Sequence, residues 1–327
     1  MITLKAVSKT FANGTKAVCD LSMEIAEGET LVLLGTSGSG KTTTMKMVNR
    51  LIEPTSGRIF INGKDIGRQE PIQLRRKIGY AIQHVGLFPH MTVAENIAAV
   101  PKLLRWSVSK IDERVNTLLE MVGLEPDSFC DRYPAQLSGG QKQRIGVARA
   151  LAADPPIVLM DEPFGALDPI TREQLQDEFI ELLSKIKKTI IFVTHDVFEA
   201  IKMGDRIALL DAGRLQQLAT PIELVENPAN EFVDQFLGQR RFQLSLLTRT
   251  IKKIMPEPKK RKPARDTSIP PSHLRANSSL IEALDMFKKS NEVTLPVCDG
   301  KNFVGDLEKS QLLEAITRVM EETGENS

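Results

Sequence analysis

The segment Gly35-Thr36-Ser37-Gly38-Ser39-Gly40-Lys41-Thr42 fits the pattern G-x-x-x-x-G-K-[ST]. Glycines let the backbone curl so that successive N–H groups aim at phosphate oxygens, and a helix N-terminus behind them favours negative charge. In that arrangement Lys41 reaches the β- and γ-phosphates and the Thr42 hydroxyl ligates Mg²⁺. A second run, Ile157-Val158-Leu159-Met160-Asp161-Glu162, is an apolar strand that stops at two acids. Asp161 is placed to hold Mg²⁺, directly or through water, and Glu162 to orient and polarise an attacking water. A third strand, Thr189 to Val193, ends at Thr194-His195, so His195 is placed to donate to the γ-phosphate or to orient the water. Leu137-Ser138-Gly139-Gly140-Gln141 opens a helix and forms a second phosphate-binding helix start. One γ-phosphate has no evident need of two such sites in one chain, whereas two chains head to tail do.

These residues require a particular scaffold. Thr30–Leu34, Ile157–Met160 and Thr189–Val193 are near-continuous apolar runs, as in strands buried on both faces of a parallel sheet. Helical patterns follow at Thr42–Ile52, Ile111–Val122, Gly140–Leu151 and Ile170–Leu183, which gives an α/β fold. With 327 residues, the length prior is one large domain and a smaller one. The 43 basic and 42 acidic residues leave no net field to draw nucleic acid. Cys19, Cys130 and Cys298 are scattered, without metal-ligand spacing, and read as reduced thiols. No apolar run approaches the ~18 residues of a membrane span and no signal peptide is evident, so attachment to a membrane is expected through a partner.

With all these motifs in order, the chain resembles the nucleotide-binding subunit of an ABC transporter over roughly Ile2 to Gly238. The resemblance implies a P-loop ABC ATPase fold with a helical subdomain, binding ATP with Mg²⁺ through residues 35–42 and Thr43, and forming a homodimer. It places Phe11 where the family stacks an aromatic on adenine. Gln83 matches the residue that meets Mg²⁺ and the membrane subunit, and counts with Glu162 and His195 as catalytic. Ser138, Gly139, Gly140 and Gln141 are the signature sequence, and Gly165-Ala166-Leu167-Asp168 the D-loop, opening with Gly165 where Ser is common.

A coiled coil of the DNA-repair ABC ATPases does not fit between Lys41 and Leu137, and a single nucleotide domain differs from translation-associated members. A free subunit with a C-terminal extension is the importer arrangement. It implies paired permease subunits, an indirect substrate-binding protein, and a peripheral place at the cytoplasmic face of the membrane. The stretches GTSGSGKTTTMKMVNRLIEPTSG (35–57) and LFPHMTVAENIAAVPKLLRW (87–106) are similar to the group that takes up quaternary amines such as glycine betaine and choline, and DEPFGALDP (161–169) is consistent with it but less specific. A non-transport regulatory ATPase is the competing reading.

After Gly238 the character changes. Residues 239–266 hold ten Lys or Arg against Glu257 and Asp266, with Pro256, Pro258 and Pro263, and read as a basic linker able to touch anionic lipid. Residues 267–319 then run helix, strand, turn, strand, helix and resemble a CBS motif, a regulatory module. Residues 320–327 form a polar tail.

Overall fold

The computed structural model describes residues 1–82, 86–165, 167–255, 273–300 and 302–324. It divides into two compact units, Met1–Thr220 and Pro221–Ser327.

In the first unit, strands β1 (Ile2–Thr10), β2 (Lys16–Ile25), β4 (Ser56–Ile61) and β5 (Lys64–Asp65) form an antiparallel sheet in the order β2-β1-β4-β5. Strands β3 (Thr30–Gly35), β6 (Ile78–Ala81), β7 (Ile157–Asp161), β8 (Thr189–Val193), β9 (Arg206–Asp211) and β10 (Arg214–Ala219) form a second sheet, ordered β10-β9-β3-β8-β7-β6. From β9 to β6 its neighbours are parallel, and only β10 is antiparallel. The alternation of side chains explains the apolar runs. Leu31, Leu33, Ile157, Leu159, Ile191, Val193, Ala208 and Leu210 share one core with Ile2, Leu4, Leu21 and Ile25 of the antiparallel sheet and with Met45 and Met47 of the helix Lys41–Val48. Their sequence neighbours Val32, Leu34, Val158, Met160, Ile190 and Phe192 point to the opposite face and are buried as well.

Helices Val93–Leu103, Val108–Met121 and Gly139–Leu151 pack on one another as a helical subdomain. Helix Pro169–Lys185 follows β7, and Val197–Met203 follows β8. The helix after the P-loop stops at Val48, short of the expected Ile52, because Asn49 caps it and Arg50 takes a left-handed backbone. No helix among the described residues is long and apolar enough to cross a membrane.

The second unit begins earlier than the expected boundary at Gly238. Helices Pro221–Glu226 and Glu231–Leu237 belong to it. Arg241 holds them in place, donating to the Val225 carbonyl at 3.1 Å and pairing with Asp234 at 2.8 Å. The expected linker also differs from what is observed over 239–255. Helices Arg241–Thr248 and Ile251–Ile254 lie there, and Leu246 and Ile251 enter a core with Leu274, Leu280, Phe287, Leu295, Val297 and Leu307. The basic count conceals this apolar stripe. The run Lys259–Lys262 lies outside the described residues. Further on, β11 (Leu274–Arg275), β12 (Thr294–Asp299) and β13 (Asn302–Glu308) form a small sheet with helices Leu280–Ser290 and Lys309–Thr323. This is the expected order of elements for a small αβ module.

Candidate functional site

The P-loop is shaped by close approaches that only glycine tolerates. At Gly35 (φ +146°) a Cβ would lie 2.0 Å from the Leu210 carbonyl oxygen, and at Gly40 (φ +98°) 2.3 Å from that of Ala17. The loop is thereby clamped between β9 and the start of β2. The hairpin turn that feeds β2 carries Phe11, whose N–H donates to the Thr15 carbonyl at 2.9 Å and whose ring is 37% exposed. Gly40 caps the helix Lys41–Val48, so Thr42 and Thr43 sit in its first turn.

Lys41 is buried, and its ammonium donates to the carbonyls of Gly35 at 2.8 Å and Thr36 at 2.7 Å and to Ser39 Oγ at 3.3 Å. Burial pushes its pKa down, against the raising influence of Glu162 and Asp161. The Thr42 hydroxyl donates to Asp161 Oδ1 at 2.9 Å. Asp161 is itself buried at the C-terminal end of β7. Its carboxyl is raised above the usual range, chiefly by burial, while the hydrogen bond from Thr42 and the charge of Lys46 act the other way. Tyr80 lies in β6 beside β7, and burial together with the charge of Asp161 raises its phenol.

Glu162 leaves the strand with a left-handed backbone (φ +46°), a conformation that costs a non-glycine residue about 1 kcal/mol. Its N–H still donates to the Val193 carbonyl at 3.0 Å. Its side chain therefore diverges from that of Asp161, and its Oε1 lies 3.4 Å from His195 Nδ1. The expectation of three polar strand ends thus corresponds to one cluster: Lys41 and Thr42 after β3, Asp161 and Glu162 after β7, His195 after β8.

The signature residues form a separate constellation. Ser138 caps the helix Gly139–Leu151 through a capping box, its Oγ accepting from the Gln141 N–H at 3.3 Å while its own N–H donates to Gln141 Oε1 at 3.0 Å. Ser138 and Gly139 are exposed, whereas Gly140 is buried. A Cβ on Gly140 would approach Thr171 Cγ2 at 3.2 Å and Leu175 Cδ1 at 3.3 Å, so this glycine also serves packing. Asp168 caps the helix Pro169–Lys185, accepting from the Thr171 N–H at 3.0 Å, and its carboxyl is held low by Thr171, first through its side chain and then through that N–H. Gln83 lies outside the described residues.

Several polar residues near the cluster carry no motif. Thr194, Glu199 and Gln176 are buried and hydrogen-bonded to one another. Only a glutamate on the buried side of a short helix beside β8 would have pointed to them.

A family model described as "ABC transporter" matches residues 18–165. The glycine betaine/carnitine/choline transport ATP-binding protein OpuCA of Bacillus subtilis (strain 168) is 51% identical over 302 residues, 92% of this chain and 76% of that protein. The choline transport ATP-binding protein OpuBA of the same organism is 58% identical over 241 residues, 74% of this chain and 63% of that protein. Among solved structures, the ATP-binding cassette MJ0796, dimeric in a post-hydrolysis state with ADP and Pi, aligns with a TM-score of 0.61 and 35% identity. That alignment covers 67% of this chain and 98% of the cassette. The phosphate loop, the acid pair at the end of β7 and these kinships together place the chain in the ABC transporter family. Within it, the chain is an ATP-binding subunit, and its enzymatic class is ATPase.

Proposed function

We propose that this chain hydrolyses ATP at the cytoplasmic face of a membrane to power an importer of quaternary amines of the glycine betaine, choline and carnitine type. The names of the relatives support the substrate class. The observation that carries the chemistry is the gathering of Lys41, Thr42, Asp161, Glu162 and His195 at the ends of three adjacent strands. In this reading the Lys41 ammonium exchanges the Gly35 and Thr36 carbonyls for β- and γ-phosphate oxygens, and the loop N–H groups complete the cradle. Phe11 stacks on the base and makes no base-edge contacts. Glu162 orients the attacking water and accepts its proton, and His195, within reach of Glu162, holds the γ-phosphate side.

The Thr42 hydroxyl and Asp161 carboxylate are hard oxygen donors 2.9 Å apart, a pair suited to Mg²⁺. When bound there, Mg²⁺ would neutralise charge on the β- and γ-phosphates. Gln83 is assigned to the same metal and to the permease by family resemblance.

The exposed Ser138 helix start, with no obvious phosphate of its own to serve, supports a head-to-tail homodimer in which it faces the partner's P-loop. Closure of that dimer would move paired permease subunits, with a substrate-binding protein acting indirectly. By resemblance residues 267–319 are assigned to a CBS-like regulatory module, and the Lys259–Lys262 run to an anionic-lipid contact.

The test is Glu162→Gln, which keeps shape but cannot take a proton. Expected are retained ATP binding, a trapped ATP-bound dimer, and hydrolysis lowered at least ~100-fold, the lower end of what a general base contributes. Hydrolysis at the parental rate would remove Glu162 from the base role and with it the carboxylate assignment.

A further inference from the structure

His195 has the most exposed side chain of the cluster, at 62%, yet both residues flanking it are hydrogen-bonded. Thr194 before it is 1% exposed, and its N–H donates to the Leu33 carbonyl at 3.2 Å, which ties the turn to β3. The Thr194 hydroxyl donates to Glu199 Oε2 at 2.6 Å and accepts from the Asp196 N–H at 3.0 Å. Asp196 then caps the helix Val197–Met203 by accepting from the Phe198 N–H at 2.8 Å. His195 is therefore held from both sides, and both holds converge on Glu199.

Glu199 is 5% exposed, and Gln176 Nε2 donates to its other oxygen, Oε1, at 3.0 Å. Both oxygens of the carboxyl are therefore engaged, one by the Thr194 hydroxyl and one by the Gln176 amide. Burial raises its pKa, while the hydrogen bond from Thr194 and the charge of Arg172 favour the ionised form and Asp196 opposes it. A carboxyl kept in so dry a place has to be hydrogen-bonded. Gln176 and Arg172 both lie on the helix Pro169–Lys185. Arg172 in turn donates to the Leu167 carbonyl at 3.0 Å, beside the Asp168 cap. Its buried Nε has no hydrogen-bond partner among the described residues.

We propose that Glu199 is a positioning residue that holds His195 beside Glu162 and links it to the helix beginning at Asp168. The proposal deepens the site reading above and rests on His195 acting in hydrolysis. The consequence is that a displacement of residues 167–168, which the homodimer reading places at the subunit interface, reaches His195 through the helix Pro169–Lys185, Gln176, Glu199 and Thr194 without passing through the nucleotide.

The experiment is steady-state MgATP hydrolysis by the full chain as parent, Glu199→Ala, Glu199→Gln, His195→Ala and the Glu199→Ala/His195→Ala double variant, with ATP binding measured on each. Displacing a catalytic group by about 1 Å costs on the order of 100-fold, so Glu199→Ala should lower kcat by about tenfold or more, with KM within about twofold. Glu199→Gln keeps an acceptor for Thr194, and rotation of the Gln176 amide keeps the second contact, so its kcat should stay within about threefold of the parent. On the His195→Ala background Glu199→Ala should change the residual rate by less than about twofold, because a group acting through His195 has nothing left to position. An equal loss on both backgrounds, or a Glu199→Ala variant with parental kcat, overturns the proposal. A His195→Ala variant with parental kcat brings down the site reading, and the proposal falls with it. Should Glu199→Ala not fold, Thr194→Val takes its place in the same cycle, since it keeps the shape and removes the hydroxyl that reaches Glu199.

Discussion

Replacing Lys41 by methionine separates what this side chain does for the fold from what it does for phosphate. Methionine keeps the length and apolar body of the stem but removes all three donors. Two backbone carbonyls, Gly35 and Thr36, and Ser39 Oγ then lose their partner. An acceptor left bare in a buried site costs about 1–3 kcal/mol. Two effects keep the sum below three such costs. The ammonium's own burial, which lowers its pKa, is a penalty the methionine does not carry. The Thr36 carbonyl is only partly buried and can turn to water. A net loss of about 1–3 kcal/mol is expected, and for a unit of this size that lowers the unfolding midpoint by roughly 3–10 °C.

The nucleotide effect should be larger in proportion. The parent in ATP at a hundred times its Kd gains about 2.7 kcal/mol, or some 5–10 °C. If losing the ammonium weakens ATP binding about 100-fold, the same ATP concentration stabilises the variant by only about 0.4 kcal/mol, roughly 1 °C. Thermal unfolding of both proteins, with and without a non-hydrolysable ATP analogue and Mg²⁺, reads both quantities. A variant that melts with the parent shows that the three hydrogen bonds add nothing to the loop. A variant that keeps the full nucleotide shift refutes the assignment of Lys41 to phosphate.

Two other substitutions test the neighbouring groups. Asp161→Asn should leave the fold at least as stable as the parent at pH 7 while abolishing Mg²⁺-dependent hydrolysis. The folded-state pKa of Asp161 is raised, so the stability linked to its protonation is full below the unfolded value of about 3.9 and is lost as pH rises through the folded value. The variant's relative advantage should therefore shrink as pH falls from 7 towards 4, and a difference in melting temperature that does not change with pH would count against a raised carboxyl. Ser138→Asp should keep stability within about 0.5 kcal/mol, since Asp caps as well as Ser, whereas Ser138→Ala loses about 1 kcal/mol. The same aspartate placed before the partner's γ-phosphate should cut hydrolysis about 100-fold or more through like-charge repulsion, and an active Ser138→Asp enzyme would remove Ser138 from the composite site.

The features of this fold that are legible in the amino-acid sequence are those that short-range pattern encodes. The P-loop glycines, the acid pair closing an apolar strand and the three doubly buried strands each announce themselves within ten residues, and the parallel sheet brings their ends together as expected. The helix–strand order of the C-terminal module is legible for the same reason. The fold of residues 239–255 is not, because Leu246 and Ile251 reveal their burial only against Phe287 and Leu295 much further along the chain. Ten basic residues suggest a linker, although the Arg241 and Arg249 charges are spent on Asp234, Glu226 and Glu322 within the unit. Glu199 is hidden for another reason: a glutamate on a seven-residue helix is ordinarily a solvated face, and only the tertiary fold presses it against Thr194 and Gln176.

The helix Pro169–Lys185 takes on a part that no motif assigns to it. On one side Thr171 and Leu175 fill the space that Gly140 leaves open, and Glu178 pairs with Arg144 of the signature helix. On another, Gln176 reaches Glu199 beneath His195, and Asp177 pairs with Lys202 at 2.7 Å on the same short helix. At its start Asp168 and Arg172 fix the turn that follows Glu162. The signature helix and the His195 turn are thus fastened to one rigid rod within a single chain. At Gly140 a Cβ would press on Thr171 Cγ2 at 3.2 Å and Leu175 Cδ1 at 3.3 Å, so this glycine lets the rod and the signature helix pack closely. A signature segment that engages a partner's nucleotide, as the proposed dimer requires, would be mechanically continuous with the histidine that serves the chain's own nucleotide. In that proposed pair such continuity would let the two sites sense one another with no contact between the nucleotides themselves.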